Sequence, residues 1–405
     1  MTVTTEAAAA ETGSRAGYPH PYPKTERQAE FMALADHLAA HAAERAPEND
    51  REATFPFETF DEMRRTGYLA LTVPEEYGGR GANVLELVLA QERLARGDGS
   101  VALAASMHLG LIARQATTRT WPEPVFARIC RAIVEDGALI NSAASEPALG
   151  SPSRGGLPAT VGVRMPDGWR ISGRKSWASL SPALRYATIM ATIEEEGKAP
   201  RRTNFLVPMD APGVRIELTW DNLSMRATGS HDLILDNVLV PNDALLPPEE
   251  AIGIGDPRGW SILYGTVYTG IASAARDFAV DFARGRRPGG QAGASIAEYQ
   301  TVQHRIAEMD VLLLQSRSIL YGAAETWVER PELRDAIAWQ LLASKYVATN
   351  NAIRITDLAL RVVGSAGLAR SRPLERYFRD ARAGLGNPPM DDIALTQIGK
   401  AALGI

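Results

Sequence analysis

The spacing of apolar residues changes twice along this chain. Up to about residue 136 they recur every three or four positions, as at Phe31, Leu34 and Leu38, which is the spacing of one helix face. From about 137 to 248, apolar and polar residues alternate, and turn sequences separate the alternating runs. The helical spacing returns at Gly259 and persists to the C-terminus. The pattern predicts domains in the order α, β, α.

The prediction divides the chain into a disordered tail over 1–23, an N-terminal helical domain over 24–136, a middle β-domain over 137–248 and a helical bundle over 249–405. The N-terminal helices are expected at 24–44, 57–66, 84–96, 100–116 and 128–135; the strands after Pro182 at 186–193, 203–208, 214–218 and 233–240; and the C-terminal helices at 260–283, 297–328, 333–363, 372–382 and 391–403. Long helices are stabilised chiefly by packing against each other, so the last group predicts a bundle.

The segment 139–182, at the start of the β-region, carries the first chemical signal. It begins with a loop rich in serine, glycine and proline and continues as strand, turn and strand. Backbone amides and the hydroxyls of residues such as Ser145 and Ser151 suit the polar edge of a flat redox-active ring, and Trp177 with Ser179 adds an aromatic face beside a hydroxyl. These features indicate flavin binding. Such loops also occur as ordinary surface turns, so this segment alone does not distinguish a flavin-binding loop from a surface turn.

Composition excludes several other classes of function. The 405 residues are 45% hydrophobic, carry a net charge of -5 and contain no basic run that could follow a phosphate backbone, so we expect no nucleic-acid partner. One cysteine and six scattered histidines exclude a disulfide framework and a zinc site. No apolar run is long enough to span a membrane, and the N-terminus lacks a secretion signal. We expect a cytoplasmic protein.

Motifs spread along the chain resemble those of the acyl-CoA dehydrogenase family. They are FDEMRRTGYLALTVPEEYGGRGAN, SEPALGS, GRKSWASLS, NLSMRATGSHDLILDNVLVPNDALL and VVGSAGLARSRPLERYFRDAR, and the match extends from about residue 24 to near the C-terminus. The resemblance implies an α+β fold with an N-terminal helical domain, a middle β-barrel-like domain and a C-terminal four-helix bundle. It also implies FAD as cofactor and a homotetramer or homodimer.

The resemblance assigns flavin contacts to two parts of the chain. They are Ala144, Ser145, Gly150, Ser151, Trp177 and Ser179 in the middle domain, and Arg286, Gln300, Gly364 and Ser365 in the C-terminal domain. In the family the segment around Arg286 reaches the FAD pyrophosphate of a neighbouring subunit. Here Gly289 stands where phenylalanine is expected, and Arg361 replaces a glutamine. FMN or a diffusible reduced flavin therefore stays open as an alternative to FAD.

The catalytic base of the family is missing from its expected positions. Family dehydrogenases remove the α-proton of an acyl thioester with a glutamate while the flavin accepts the β-hydride. That glutamate corresponds to Pro388, and the alternative position on the first bundle helix corresponds to Leu263. Asp391 is a candidate substitute, although an aspartate after Pro389 also suits the first turn of a helix. Desaturation of a thioester of CoA or a carrier protein, with a separate electron acceptor, stays the first expectation.

Two alternatives follow from the missing glutamate. A branch of the same fold uses reduced flavin from a partner reductase and O2 as a two-component monooxygenase, with catalytic histidines. His108 is a candidate for that role, and Asn387 stands near where such relatives carry a histidine; a histidine on an alanine-rich helix is also commonly a packing residue. The other alternative is a catalytically silent flavin-binding subunit. His231 is interpreted as a turn residue and Glu146 as structural.

Overall fold

A computed structural model describes residues 21–148, 156–195, 197, 199–247, 260–288 and 293–405. The N-terminal part is helical: α1 (Glu26–Glu52), α2 (Phe57–Arg65), α3 (Val84–Gly97), α4 (Gly99–Thr118) and α5 (Glu123–Asp136). Side chains cap three of these helices. Thr25 accepts a hydrogen bond from Gln28 N at the start of α1, Asn83 and Glu86 form a capping box on α3, and Asp98 accepts from the first amides of α4.

The middle part forms one eight-stranded sheet. Its strands are β1 (Leu139–Ala143), β2 (Val161–Met165), β3 (Gly168–Lys175), β4 (Leu184–Ile193), β5 (Arg201–Pro208), β6 (Val214–Glu217), β7 (Asp232–Pro241) and β8 (Leu245–Leu246). The order is β6-β7-β3-β2-β4-β5-β8, and β1 pairs with β4 in parallel. β3 and β7 run antiparallel, with Lys175 opposite Leu233. Their adjoining ends bring residues 176–181 next to residues 228–231.

The C-terminal part consists of three long helices and two shorter ones, namely α6 (Trp260–Gly285), α7 (Gln300–Glu329), α8 (Arg334–Val363), α9 (Leu374–Ala383) and α10 (Asp391–Leu403). Helix α6 also packs on the N-terminal domain. At Gly270 an added Cβ would lie 2.4 Å from the carbonyl oxygen of Glu92 on α3, so only glycine permits this approach. The two helical parts thus share a continuous apolar core.

The α, β, α architecture predicted from the sequence is confirmed. Tyr22, which falls within the predicted disordered tail, is 6% exposed and packs edge-on against Tyr321 of α7 with ring centroids 5.5 Å apart. Residues 1–20 lie outside the described residues. Among the described helices, none combines the length and apolar character needed to cross a membrane.

Candidate flavin site

An aromatic corner lies where the chain leaves β3. Trp177 has a φ of 60°, a left-handed conformation that is rare for a bulky residue, and its side chain is 62% exposed. The Trp220 ring packs edge-on against it at 5.0 Å between centroids. Trp220 is fixed in turn, because its Nε1–H donates to Met225 O at 3.1 Å and its backbone N–H donates to Nδ1 of His231 at 3.0 Å. The corner therefore presents a large aromatic surface on a supported turn.

A chain of hydroxyl groups lies beside this corner. Ser179 Oγ is 2.8 Å from Ser230 Oγ, Ser230 Oγ is 2.7 Å from Thr228 Oγ1, and Thr228 Oγ1 donates to Met225 O at 2.9 Å. Thr228 and Ser230 are buried, whereas Ser179 is half-buried. Ser179 therefore forms the accessible end of an internal polar chain.

Backbone hydrogen bonds hold the two turns together. Leu180 N donates to Thr228 O at 3.0 Å, and Asn141 Nδ2 donates to Ser179 O at 2.9 Å. Gly229 has a φ of 56°, and an added Cβ there would lie 2.8 Å from Cδ of Pro182, so glycine is required at this contact. The position of the Ser179 hydroxyl is thus set by the sheet.

Asp380 on α9 links the helical bundle to this turn. Its Oδ1 accepts a hydrogen bond from Met225 N at 2.7 Å. Burial raises the pKa of this carboxyl to about 7, although the Met225 amide and the Arg376 guanidinium oppose the rise. Met225 therefore accepts from the hydroxyl chain with its carbonyl oxygen and donates to the bundle with its backbone N–H.

The loop before β2 contributes a further edge of the site. Ala144 and Ser145 are half-buried, and Ser145 O accepts from Ser176 N at 3.0 Å, which places the loop against the end of β3. Gly150 and Ser151 lie outside the described residues. The Ser176 hydroxyl is buried and has no hydrogen-bond partner among the residues that the structure describes. Aromatic faces with hydroxyl and peptide groups beside them fit a planar ring with a polar edge, so these residues fit a flavin.

Glu146 and Lys175 form a buried ion pair behind the loop. Lys175 Nζ donates to Glu146 Oε1 at 2.6 Å, and the carboxylate also accepts from Ala159 N, Thr160 N and Thr160 Oγ1 at 2.7 to 3.0 Å. Burial acts to raise the pKa of Glu146, but the hydrogen bonds from Lys175 and Thr160 outweigh it and leave that pKa below its usual range. The pair fixes the loop to the sheet.

His108 has a structural environment. Its Nδ1 accepts from Ile140 N at 3.2 Å, and its Nε2 lies 2.9 Å from Leu69 O, which can only accept, so Nε2 carries the proton. The ring is fully buried, and burial lowers its pKa to about 4. Because backbone groups occupy both nitrogens, we assign His108 a packing role in place of the oxygen chemistry considered from the sequence.

Neither expected base position carries a carboxylate, and the candidate substitute Asp391 is held by a neighbouring side chain. Leu263 is buried, and Asn387 accepts a hydrogen bond from the Tyr268 hydroxyl. Asp391 begins α10 with its side chain 29% exposed, and its Oδ2 accepts from Asn350 Nδ2 at 2.9 Å. Its Oδ1 lies 3.6 Å from Nζ of the fully buried Lys345, beyond hydrogen-bond distance.

The C-terminal residues assigned to flavin binding are exposed. Arg286 follows α6 and Gln300 opens α7, and both are accessible on the surface. Gly364 has a φ of 72° and no atom near the position of an added Cβ; it lines a cavity of about 330 Å³ together with Arg361 and Leu368. Ser365 is also exposed. Within the described part of the chain, these four residues are all accessible at the surface.

Comparison with known protein families identifies the fold. Models of the acyl-CoA dehydrogenase N-terminal, middle and C-terminal domains match residues 25–120, 141–238 and 262–401. The chain is also 39% identical to the putative acyl-CoA dehydrogenase YdbM of Bacillus subtilis over 94% of this chain and 98% of that protein. This protein belongs to the acyl-CoA dehydrogenase family. The resemblance inferred from the motifs is confirmed, and the chain is an acyl-CoA dehydrogenase-like flavin oxidoreductase.

Other relatives within this fold differ in their ligands and activities. The amino sugar nitrososynthase DnmZ of Streptomyces peucetius is 31% identical over 89% of this chain and 90% of its own length. A structure of TdsC from Paenibacillus sp. A11-2 with FMN and indole superposes with a TM-score of 0.83 at 25% identity, covering 93% of this chain and 97% of that one. Family members use FAD, and relatives bind FMN.

Among the described residues, no cluster of histidine, cysteine and acidic side chains could hold a metal ion.

Sequence reasoning missed four residues of this site. Trp220, Met225, Thr228 and Ser230 lie within or just before the motif NLSMRATGSHD, whose density of serine, threonine and glycine was a usable signal. Asp380 is a further residue that the sequence did not assign to the site. Trp220 contacts Trp177, Ser230 contacts Ser179 across 51 residues, and Asp380 contacts Met225 across 155 residues. A periodicity argument does not detect such contacts.

Proposed function

We propose that this protein is a two-component flavin monooxygenase, which takes reduced flavin from a separate reductase and uses O2 to oxygenate a small organic substrate. The observation that carries the proposal is the absence of a proton acceptor where thioester desaturation requires one. Proline and leucine occupy the two base positions of the family, Pro388 and Leu263. Oxygenation with reduced flavin does not require removal of an α-proton by the protein.

The ring-binding side of the site supports a flavin-dependent reaction. Trp177 and Trp220 offer aromatic contact, Ser179 a hydroxyl, and the loop at Ala144 and Ser145 peptide groups. Bound reduced flavin supplies the electrons that activate O2. The residues named here would hold and orient the ring of a bound flavin against the end of the sheet. Two similar proteins support a reaction other than desaturation on this fold, namely TdsC, whose structure contains FMN and indole, and DnmZ, an amino sugar nitrososynthase.

Desaturation of an acyl thioester is the second candidate, and one observation favours it. Asp391 Oδ1 is buried and receives no hydrogen bond from any described residue. An incompletely hydrogen-bonded carboxylate is a better proton acceptor than a fully hydrogen-bonded one. If Asp391 moved toward the substrate, it would replace the missing glutamate, and Lys345 would then lose its nearest counter-charge.

The substitution Asp391→Asn separates the two candidates, with Asp392→Asn as matched control because Asp392 is the exposed neighbour on the same helical turn. We expect the protein, when supplied with reduced flavin, to consume O2 and form an oxygenated product in proportion. In Asp391→Asn the rate of product formation should stay within about threefold of the wild type. Product oxygen from labelled O2, traced by mass spectrometry, is the measurement.

A desaturase would behave differently in the same assays. Anaerobic addition of acyl-CoAs would bleach the visible band of bound flavin, and Asp391→Asn would slow the bleaching by about 10² to 10⁴-fold, as expected for loss of a general base. That result would overturn the monooxygenase proposal. A protein that binds flavin but shows neither bleaching nor oxygen uptake would be a silent subunit.

We also propose that the exposed C-terminal residues complete a flavin site across a homodimer or homotetramer. Arg286, Gln300, Gly364 and Ser365 are accessible in one subunit, and Arg361 and Gly364 line a surface cavity. Sedimentation of the protein with and without flavin tests the assembly. Arg286→Ala is expected to weaken FAD binding more than FMN binding, because FMN lacks the pyrophosphate and adenosine; equal weakening of both would contradict this assignment.

A further inference from the structure

A tyrosine hydroxyl on α6 has only a weak hydrogen-bond acceptor among the described residues. Tyr264 Oη donates to Sδ of Met107 on α4 at 3.8 Å, and a thioether sulfur accepts hydrogen bonds poorly. The tyrosine is 6% exposed, so bulk water compensates little for the weak partner. Burial also raises the pKa of the phenol, which therefore keeps its proton near neutral pH. The hydrogen-bonding capacity of this buried donor is thus largely unused.

The hydroxyl borders a narrow opening between α4 and α6. Met107 is half-buried, although Ser106 and His108 on either side of it are fully buried. At the start of α6, Tyr264 retains slight exposure, and so does Ser261, which lies three residues earlier on the same helix face. Because Tyr264 contacts Met107, these accessible groups border the same opening. They are a phenol, a thioether and an aliphatic hydroxyl, and none of them is charged.

The two helices connect this opening to both halves of the candidate site. Tyr268, one helical turn after Tyr264, donates its hydroxyl hydrogen to Asn387, which precedes the proline at the family base position. On α4, His108 follows the methionine and accepts a hydrogen bond from Ile140 N on β1, the strand that leads into the loop assigned to flavin binding. The opening is therefore flanked by the segment of the missing base and by the support of the flavin loop.

We propose that Tyr264 is a specificity-determining residue, which donates a hydrogen bond to a small and mainly apolar substrate that carries one uncharged oxygen or nitrogen acceptor. A substrate without an acceptor would leave the phenol with the sulfur alone, and leaving a buried donor poorly paired is unfavourable. An ionised carboxylate would lose its hydration without gaining a cation from the groups that border the opening. The inference rests on the proposed function, because it takes the substrate of that reaction to bind between α4 and α6.

The test compares two probes of nearly the same shape, acetophenone and α-methylstyrene, in which a carbonyl oxygen replaces a methylene group. Their dissociation constants are measured by ligand-observed NMR with and without FMN. We expect the preference for acetophenone over α-methylstyrene to fall about tenfold in Tyr264→Phe, the scale of one hydrogen bond. Met107→Leu removes only the competing sulfur acceptor, so the preference should persist or increase in that variant.

Tyr268→Phe is the matched control. It removes a hydroxyl from the same face of α6, but the hydrogen of that hydroxyl is already donated to Asn387, so the preference for acetophenone should persist. Unchanged affinity of Tyr264→Phe for FMN would show that the variant keeps its fold. An unchanged probe ratio in Tyr264→Phe, an equal fall in Tyr268→Phe, or binding of neither probe by the wild type would overturn the inference.

The result is separable from that of the labelled O2 experiment. A probe ratio that depends on Tyr264, without incorporation of labelled oxygen into a product, would refute the monooxygenase proposal and leave the tyrosine as a ligand-binding donor. Incorporation of labelled oxygen with a probe ratio that Tyr264→Phe does not change would refute only the role of the tyrosine.

Discussion

Two buried ion pairs of this protein, one in the middle domain and one in the C-terminal bundle, differ in how fully they are hydrogen-bonded. In the middle domain, Lys175 donates to Glu146, and Glu146 accepts three further hydrogen bonds; the nearby His108, where α4 meets β1, also uses both ring nitrogens. In the bundle, Lys345 Nζ is fully buried and has no hydrogen-bond partner among the described residues, and Asp391 lies 3.6 Å away. The first region shows the saturation expected of a rigid support.

The difference between the regions bears on function. A saturated polar group is held in one arrangement, because moving it would break several hydrogen bonds at once. The support beneath Ser145 and Trp177 has this character, which suits a surface that must orient a ring. The segment that carries Asp391 lacks it, and it is also the segment in which the family glutamate is replaced by Pro388. A fixed geometry on the ring side is thus combined with a proline at the position of the family glutamate.

Breaking the saturated pair should have the largest effect. Lys175→Met removes the ammonium and leaves the Glu146 carboxylate buried beneath the flavin loop, so we expect a loss of about 3 to 5 kcal/mol in the free energy of unfolding. Denaturant unfolding is the measurement. The double variant with Glu146→Gln should recover part of the loss, because it removes the unpaired charge. A loss below about 1 kcal/mol would show that the pair is not an essential support.

The buried histidine predicts a smaller effect that depends on pH. Its pKa is about 4 in the folded protein and about 6.5 when unfolded, so the unfolded state takes up a proton first as the pH falls. The free energy of unfolding is unaffected by this histidine above about pH 6.5 and decreases toward pH 4. The loss at pH 5 is about 2 kcal/mol. Unfolding at pH 7.5 and pH 5 should therefore differ by about 2 kcal/mol more in the wild type than in His108→Gln. Identical pH dependence would show that the pKa of His108 is not lowered in the folded protein.

The sequence predicted the helices and strands better than it predicted their ends. Helix α10 was expected at 391–403 and lies there. Helix α1 was expected to stop at residue 44 but continues through Pro47 to Glu52, because Ala46 and Asn49 are buried and tertiary packing outweighs the local cost of proline. Helix α5 begins at Glu123 rather than at 128. Pro124 is tolerated in the first turn, because backbone N–H groups there make no intrahelical hydrogen bond that proline could lose.

The site was predictable only in part. Trp177 and Ser179 are recognisable because a tryptophan and a hydroxyl follow a strand in one short motif. Their partners are not, since Ser230 is 51 residues from Ser179, and Asp380 is 155 residues from Met225. His108 shows the reverse case. The residue type suggested catalysis, but in the structure its Nδ1 accepts a hydrogen bond from the backbone of β1. Side-chain chemistry alone does not distinguish a ligand-facing group from a packed one.

The smallest expected effect gives the sharpest test of the contrast between the two regions. Lys345→Met puts an apolar side chain of similar length in place of a buried ammonium, which has no hydrogen-bond partner among the described residues. Burial already lowers the pKa of this lysine. Removing the desolvated charge offsets the lost attraction to Asp391, which is partly exposed and keeps its hydrogen bond from Asn350. We expect the free energy of unfolding to change by less than about 1 kcal/mol, or to increase, when measured beside Lys175→Met. A loss as large as that of Lys175→Met would mean that the ion pair with Asp391 stabilises the bundle, and Asp391 would then be a structural residue in either proposed reaction.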